Sequence, residues 1–337
     1  MKITIKDIAR LAGVSTTTVS KVINNKDESI SQATRDRITS LMKEYDYTPS
    51  TVARSLVTKK TNTIGLIIPD IRNPFFPELA RGVEDRANSA GYNIIFCNTD
   101  NKIEKEDEYL KILAEKMVDG IIMAASSKRD ERLATVKGYS VPVVLVDRDI
   151  DVEMDYVKGR VFTDNFKGAR IAVEHMINQG VKKILFISGP LTNKASIERL
   201  EGYKYALKEN GLEYDEGYLL EGEFNEDWGW EAARAAVETG IEFDGIFCGN
   251  DLIAIGAVKS LKEIGLSVPE DISVIGFDDI YVSRLIEPEL TTVRQPKYEM
   301  GFEAVEMLLR ILEGKRLKDA RLILQPDLII RDSVRKG

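Results

Sequence analysis

Histidine and cysteine are scarce in this 337-residue chain, which contains one histidine and two cysteines. Cys97 and Cys248 are far apart, and each lies in an apolar stretch typical of a buried strand, so we expect two small core side chains rather than a disulfide or a metal pair. His175 lies inside a helical pattern and is expected at the surface or in the packing, since a single histidine leaves little acid–base machinery. A phosphate-binding loop, a dinucleotide-binding glycine turn, metal-ligand spacings and a Ser-His-Asp set are also absent. The sequence therefore predicts no enzyme, no catalytic residue, no metal site and no cofactor.

Long apolar runs are absent as well. No stretch of about eighteen consecutive apolar residues occurs, so no membrane span is expected, and the N-terminus lacks the apolar core of a signal peptide. We therefore expect a cytoplasmic protein that does not enter a membrane. The length exceeds what one core can bury, so two or three domains are expected.

The net charge of −8 is unevenly distributed along the chain. Residues 1–60 carry eleven basic and six acidic side chains, a net charge of +5, so the remaining residues carry −13. Such asymmetry is typical of a nucleic-acid-binding head on an acidic body, the alternative being an accident of surface composition.

Two short helical patterns separated by Gly13 occupy residues 5–23. Thr4 and Asp7 have the spacing of a capping box, and Ser15 is placed to cap the second helix. Apolar residues recur on one face of each helix, and a third helix over 32–45 follows. The residues predicted to face inward are Ile5, Ile8, Ala9 and Ala12, then Val19, Val22 and Ile23, then Ile38, Leu41, Met42 and Tyr45. This pattern predicts a helix-turn-helix domain over residues 1–47.

The outward side chains at the start of the second helix are candidates for reading DNA. A recognition helix contacts base edges from its N-terminal end, where threonine offers a hydroxyl or a methyl group and lysine reaches guanine or phosphate. We predict that Thr16, Thr17 and Lys21 contact DNA, with Ser15 beside them. The alternative is an ordinary three-helix bundle with a polar face.

Residues 48–61 are predicted to form a short helix and a linker. Pro49 suits a first helical position, but a helix of about eight residues is unstable alone, so we expect it to form only against a partner. Leu56 is apolar with no core nearby, as suits a wedge in a minor-groove base step, and Arg54 is a further predicted DNA contact.

From residue 62 onward, apolar strand patterns alternate with amphipathic helix patterns, which predicts an α/β body with parallel sheets. Strands are predicted over 64–68, 93–96, 120–123, 143–146, 184–187, 245–248, 274–277 and 328–331, and helices over 77–90, 105–115, 165–179, 197–210, 252–264 and 298–312. Two similar runs predict two lobes within 62–337. The first lobe is expected to comprise 62–161 and 292–324, and the second 162–291 and 325–337.

Polar and aromatic side chains cluster after the predicted strands. Ligands of parallel sheets bind beyond the carboxyl ends of the strands, guanidinium forks and carboxylates bridge adjacent hydroxyls, and aromatic faces pack on the C–H faces of a sugar. The alternatives are that Asp278 and Asp279 cap the next helix and that Phe75 and Phe76 pack the lobes together. The predicted contacts with a small uncharged polyol are Asn73, Phe75, Phe76, Asp147, Arg148, Arg199, Phe224, Asn250, Asp278 and Gln295.

Together, residues 5–56, TIGLIIPD at 63–70 and NPFF at 73–76 resemble the lac repressor/galactose repressor family of bacterial regulators, and the resemblance covers essentially the whole chain. It implies that residues 49–56 are a hinge helix, that Leu56 is the minor-groove leucine, and that the body has the periplasmic-binding-protein fold. The ten pocket residues fall where bacterial ribose-binding proteins of this fold place ligand contacts. Asp147 and Arg148 are the most informative pair, because they are not general among sugar and purine repressors.

The resemblance implies a repressor that binds a palindromic operator in double-stranded DNA as a homodimer and responds to a small sugar, with D-ribose expected. Another sugar or a purine corepressor is the alternative within the family. A transport-type sugar-binding protein and a sugar enzyme are remote alternatives, because the basic head and the missing catalytic motifs argue against them.

Overall fold

The computed structural model describes residues 3–24, 27–48, 60–126, 141–149, 156–315 and 319–337. The chain divides into two compact units, Met1–Thr61 and Asn62–Gly337. Among the described residues, no helix has both the length and the apolar character needed to cross a membrane.

The first unit contains α1 (Ile5–Ala12), α2 (Thr16–Ile23) and α3 (Gln32–Glu44). The carboxylate of Asp7 accepts hydrogen bonds from the backbone nitrogen and the hydroxyl of Thr4, at 3.0 and 2.7 Å, so the start of α1 is fixed as its sequence predicts. Gly13 ends α1 at φ +65°, a conformation that favours glycine.

A small core joins these three helices. Its buried members are Ile8, Ala9, Ala12, Val19 and Ile38. The prediction for Tyr45 is wrong, because its side chain is 44% exposed, whereas Tyr47 packs against the core. Tyr45 lies just beyond the end of α3, so the helical spacing no longer places it on the inner face.

The second unit contains two sheets, each with helices on both faces. The first sheet, in the order β11-β5-β4-β3-β1-β2, is parallel throughout the described residues. Its strands are β1 (Thr63–Ile68), β2 (Asn93–Asn98), β3 (Gly120–Met123), β4 (Val143–Val146), β5 (Val157–Thr163) and β11 (Arg321–Leu324). Its helices are α4 (Phe75–Ser89), α5 (Ile103–Glu115) and α10 (Lys297–Leu312).

The second sheet has the order β12-β10-β9-β8-β6-β7 and is parallel except for the antiparallel pairing of β12 with β10. Its strands are β6 (Ile184–Ser188), β7 (Leu219–Glu221), β8 (Gly245–Cys248), β9 (Ser273–Asp278), β10 (Thr291–Arg294) and β12 (Asp327–Ile329). Its helices are α6 (Asn165–Asn178), α7 (Lys194–Glu209), α8 (Glu226–Glu238) and α9 (Asp251–Glu263).

The observed crossings between the lobes differ slightly from the predicted ones. The first sheet retains the chain to Thr163, two residues beyond the predicted boundary at 161. Residues 292–294 do not return to the first lobe, because β10 pairs with β9 in the second sheet. The return begins after β10, and α10 then packs on α4 and on β3, β4 and β5.

Both cysteines are free and buried, Cys97 on β2 and Cys248 on β8, so they are core side chains as predicted. Burial raises the pKa of Cys97 to about 11, which keeps the thiol protonated and unreactive near neutral pH. His175 lies half-buried on α6, and desolvation lowers its pKa.

Candidate functional site

One cleft in the second unit lies beyond the carboxyl ends of strands from both sheets. Its empty volume is about 310 Å³, part of which is open to solvent. All ten predicted pocket residues line it, together with two that the sequence reasoning did not name. The lining residues are Asn73, Phe75, Phe76, Asp147, Arg148, Asn193, Ala195, Arg199, Phe224, Asn250, Asp278 and Gln295.

Aromatic rings form the apolar part of the wall. Phe75 and Phe76 open α4, with ring centroids 5.1 Å apart at an angle of 81°, so an edge of one ring meets the face of the other. Phe224 comes from the second lobe, where a side chain at Gly189 would collide with its ring, since an added Cβ would lie 2.4 Å away. Three ring surfaces therefore border the cleft, from both lobes.

Arg148 lies between these aromatic surfaces. Its guanidinium carbon is 5.9 Å from the centroid of the Phe76 ring and 5.7 Å from that of Phe224. Its Nη1 donates to Oδ1 of Asn101 at 3.1 Å, and its Nε lies 3.6 Å from Oδ2 of Asp147. The side chain is thus held from several sides while it borders the pocket.

The two other polar groups of the first lobe follow the ends of β1 and β4. The Oδ1 atom of Asn73 accepts the backbone N–H of Phe75 at 3.0 Å, which directs the start of α4. Asp147 follows β4 with φ +64°, a left-handed conformation that few non-glycine residues adopt but that aspartate tolerates better than most. Its buried carboxylate has a raised pKa, because desolvation outweighs the nearby charges of Arg148 and Arg199.

Arg199 is the fixed cation of the second lobe. Its Nε donates to Oδ1 of Asn165 at 3.0 Å and its Nη1 to the carbonyl oxygen of Gly249 at 2.5 Å. Its guanidinium carbon lies 3.8 Å from the centroid of the Phe277 ring. These contacts hold a planar donor fork at the pocket wall, the geometry that suits adjacent oxygen atoms.

Asp278 provides the second buried carboxylate. It ends β9 at φ +118°, and its Oδ1 accepts the amide of Gln295 at 2.7 Å. Burial raises its pKa to about 7, although the charge of Arg199 acts in the opposite direction. Nearby, Oδ1 of Asn250 caps α9 by accepting the backbone N–H of Ile253 at 2.9 Å.

The pocket thus combines two carboxyl groups with two guanidinium groups, and their charges cancel when all four are ionised. Donors and acceptors of both kinds surround a small volume with aromatic walls, an arrangement suited to an uncharged molecule rich in hydroxyl groups. Among the described residues, no cluster of three or more metal-ligating side chains is present.

Asn193 and Ala195 were missed by the sequence reasoning. They lie at the start of α7, where Oδ1 of Asn193 accepts the backbone N–H of Ala195 at 3.0 Å. The same rule that named Arg199 could have found them, because they lie in the connection between β6 and α7. The position of that turn relative to the pocket depends on loop geometry that the sequence does not reveal.

The predicted DNA-reading residues lie on the exposed side of α2. Ser15 caps this helix, its Oγ accepting the backbone N–H of Thr18 at 3.1 Å. Thr16, Thr17 and Lys21 are exposed, whereas Val19 on the opposite face is fully buried. The predicted contacts Arg54 and Leu56, with the rest of 49–59, lie outside the described residues.

Comparison with known proteins gave two family matches. A family described as bacterial regulatory proteins, lacI family, matches residues 4–50, and one described as periplasmic binding proteins and sugar binding domain of the LacI family matches residues 61–332.

Similar curated proteins include the transcriptional regulator RegA of Clostridium saccharobutylicum, 41% identical over 99% of both chains. The ribose operon repressor of Halalkalibacterium halodurans is 38% identical over 99% of this chain and 98% of that protein. The transcriptional repressor PurR of Vibrio vulnificus is 38% identical over 99% of both.

Solved structures with the same fold include a lac repressor dimer bound to operator and an anti-inducer, with a TM-score of 0.86 at 26% identity over 99% of this chain and 100% of that chain. A CelR–cellobiose complex has a TM-score of 0.75 at 32% identity over 98% and 99%. A LacI-family regulator from Enterococcus faecium with bound ribose has a TM-score of 0.71 at 31% identity over 81% and 98%.

Proposed function

Because this chain belongs to the lacI family of bacterial regulatory proteins, we propose that it is a DNA-binding transcription repressor whose effector is a small sugar, with D-ribose the sugar that fits best. The observation that carries the proposal is the assembly of the ten predicted pocket residues around one cleft. The relatives named above are transcription regulators rather than enzymes, which agrees with the missing catalytic motifs.

The chemistry of the cleft supports a monosaccharide. Asp147 and Asp278 would accept hydrogen bonds from sugar hydroxyls, while Arg148 and Arg199 would donate to hydroxyl or ring oxygens. Phe75, Phe76 and Phe224 would contact the C–H faces of the ring.

The choice of ribose rests on two further observations. The relatives include ribose operon repressors, and a structurally similar regulator from Enterococcus faecium holds ribose. A purine corepressor is the second candidate, since PurR proteins reach the same level of identity. The carboxyl groups flanked by guanidinium groups favour a ligand with several vicinal hydroxyls over a planar base.

Operator recognition follows from the first unit. The exposed threonines at the N-terminal end of α2, with Lys21 one turn further, form the end of a recognition helix that reads base edges. Two heads are needed to read a palindrome, and the lac repressor that this chain resembles is a dimer on its operator, so we propose a homodimer. Arg54 and Leu56 remain the proposed minor-groove contacts.

The coupling between sugar and operator is proposed to operate through the two-lobed body. Ribose would bind one arrangement of the lobes more tightly, and that arrangement would hold the paired heads less well on DNA. Coupling of this kind is about 1–3 kcal/mol, so ribose would change operator affinity by about 5- to 150-fold.

The test is calorimetric titration of D-ribose into the purified full-length protein, with other pentoses, hexoses and purine bases in parallel. We expect saturable ribose binding at one site per chain, and weaker operator binding in fluorescence anisotropy when ribose is present. Binding of a purine instead of ribose would replace the proposed effector and keep the repressor. Saturating ribose that leaves operator affinity unchanged would overturn the proposed regulation.

A further inference from the structure

Lys297 is a lysine with almost no solvent exposure, at 2%. It is the first residue of α10, where the chain has just returned from the second lobe to the first. Lysine is rarely buried, because removing an ammonium group from water is costly unless partners replace the solvent. Its partners therefore indicate why it is there.

The ammonium group binds the turn that carries Asp278. Its Nζ donates to the carbonyl oxygen of Asp278 at 2.6 Å and to that of Asp279 at 2.9 Å. Both aspartates have positive φ, +118° and +52°, in a region of backbone conformation that non-glycine residues seldom adopt. Two hydrogen bonds from one cation fix the direction of both peptide groups, and so the direction in which Asp278 presents its carboxylate.

The same ammonium group also reaches the first lobe. Its Nζ lies 3.3 Å from Oε2 of Glu78, which is on the first turn of α4. That helix opens with Phe75 and Phe76, the aromatic wall of the pocket. Lys297 is thus in contact with the polar side of the pocket in one lobe and with the helix bearing the aromatic side in the other.

We propose that Lys297 is a positioning residue that holds the Asp278 turn in its ligand-binding geometry and couples this turn to α4 of the first lobe. The proposal rests on the proposed sugar site. It assigns two separable roles to the ammonium group of Lys297. The carbonyl contacts set the affinity for sugar, and the Glu78 contact transmits sugar binding to the first lobe.

Three variants separate these roles. Lys297→Met removes the ammonium group and keeps most of the side-chain length. Glu78→Gln keeps the ammonium group and its carbonyl contacts but removes the negative charge on α4. Lys259→Met is the matched control, because Lys259 is exposed on α9 in the second lobe.

Ribose affinity by calorimetry and operator affinity by anisotropy, each measured on the full chain, give the first comparison. For Lys297→Met we expect ribose affinity to fall by about tenfold or more, with operator affinity in the absence of ribose within about threefold of the unchanged protein. For Glu78→Gln we expect ribose affinity within about threefold, but a smaller effect of ribose on operator binding. Lys259→Met is expected to alter neither.

A second measurement needs no ligand. Amide hydrogen exchange over residues 277–283, which include the turn, should be about tenfold faster in Lys297→Met than in Lys259→Met. Unchanged exchange there in a folded Lys297→Met protein would overturn the positioning role, whether or not ribose is the effector. Absence of ribose binding in the unchanged protein would instead count against the proposed function.

If Lys297→Met does not fold, Glu78→Gln still decides the coupling. A Glu78→Gln protein that responds to ribose as fully as the unchanged protein would refute the link to α4. Unchanged ribose affinity in Lys297→Met, in a protein that binds ribose when unmodified, would refute the claim that Lys297 sets affinity.

Discussion

Replacing Arg199 with methionine tests the pocket at its most constrained cation. The guanidinium is buried, with Nε and Nη1 already bonded to Asn165 and Gly249 and its plane against Phe277. The remaining N–H groups of the guanidinium are held rigidly at the pocket wall, so a ligand would meet donors that need no further ordering. Methionine keeps an unbranched side chain of moderate length and removes only the donors and the charge.

The magnitude follows from the hydrogen bonds that ribose would lose. A hydrogen bond to a charged group contributes about 1.5–3 kcal/mol, so two of them contribute roughly 3–6 kcal/mol. Every 1.4 kcal/mol is a factor of ten in affinity, and the lower bound therefore corresponds to about 150-fold weaker binding. Folding is also affected, because the acceptors of Asn165 and Gly249 lose their donor. Asp278 offsets part of this loss by taking up a proton, since its pKa is already raised.

Calorimetric titration of ribose into Arg199→Met measures this effect, and circular dichroism establishes that the variant is folded. Arg310→Met is the control, since Arg310 is an exposed residue in the last turn of α10 that pairs with Glu306. The control should bind ribose as the unchanged protein does. A folded Arg199→Met protein that binds ribose within about threefold of the unchanged protein would show that Arg199 does not contact the effector, and the pocket assignment would be wrong.

Three further predictions concern the head, the first lobe and the effect of pH. Lys21→Ala should weaken operator binding. If Lys21 contacts phosphate, the substitution should also reduce the magnitude of the slope of log affinity against log salt by about one. Unchanged affinity and slope in anisotropy titrations would exclude a DNA contact. Gly82→Ala should destabilise the second unit by about 1–3 kcal/mol in thermal unfolding, because the added Cβ would lie 2.0 Å from the carbonyl oxygen of Tyr298. Glu84→Ala, on the exposed side of α4, is the control and should have little effect. The pKa of Asp278 is raised to about 7, and hydroxyl donors favour its ionised form. Ribose affinity should therefore rise with pH through neutrality, and ribose binding should release protons. Proton uptake on binding, measured by calorimetry in buffers of different ionisation enthalpy, would contradict this.

Most strands of the second unit were predictable because the sequence of a buried parallel strand is a continuous apolar run. Strands such as β4 (VVLV) and β8 (GIFC) are fully buried, and both were expected from the sequence at the observed bounds. Two of the strands that were missed, β5 and β10, have mixed composition: lysine, glycine and arginine interrupt β5, and buried threonines form half of β10. The other two, β7 and β11, have only three and four residues, which is too short for hydrophobic periodicity to identify them.

The candidate site was predictable to the extent that it follows one geometric rule. Residues that follow parallel strands converge at one edge, and this accounts for Asn73, Asp147, Arg148, Asn250 and Asp278 at the cleft. Arg199 lies within α7 instead. The supporting residue Lys297 could not be identified in this way. It begins α10, a position where charged side chains are ordinarily solvated, and only the tertiary structure buries it.

Asp251 and Asp278 differ in how their buried carboxylates are satisfied, and this difference suggests how the effector acts. Burial raises the pKa of both groups. Asp251 accepts hydrogen bonds from the hydroxyls of Ser283 and Thr292 and from the backbone of Ile280, so the protein itself satisfies it.

Among the described residues, the carboxylate of Asp278 accepts a hydrogen bond only from Gln295. It therefore retains acceptor capacity that a sugar hydroxyl can use. The effector would add a hydrogen bond at the turn that Lys297 connects to Glu78 on α4. Binding energy at the pocket would thus stabilise one arrangement of the two lobes, which is the requirement for a sugar to alter the affinity of the paired heads for DNA.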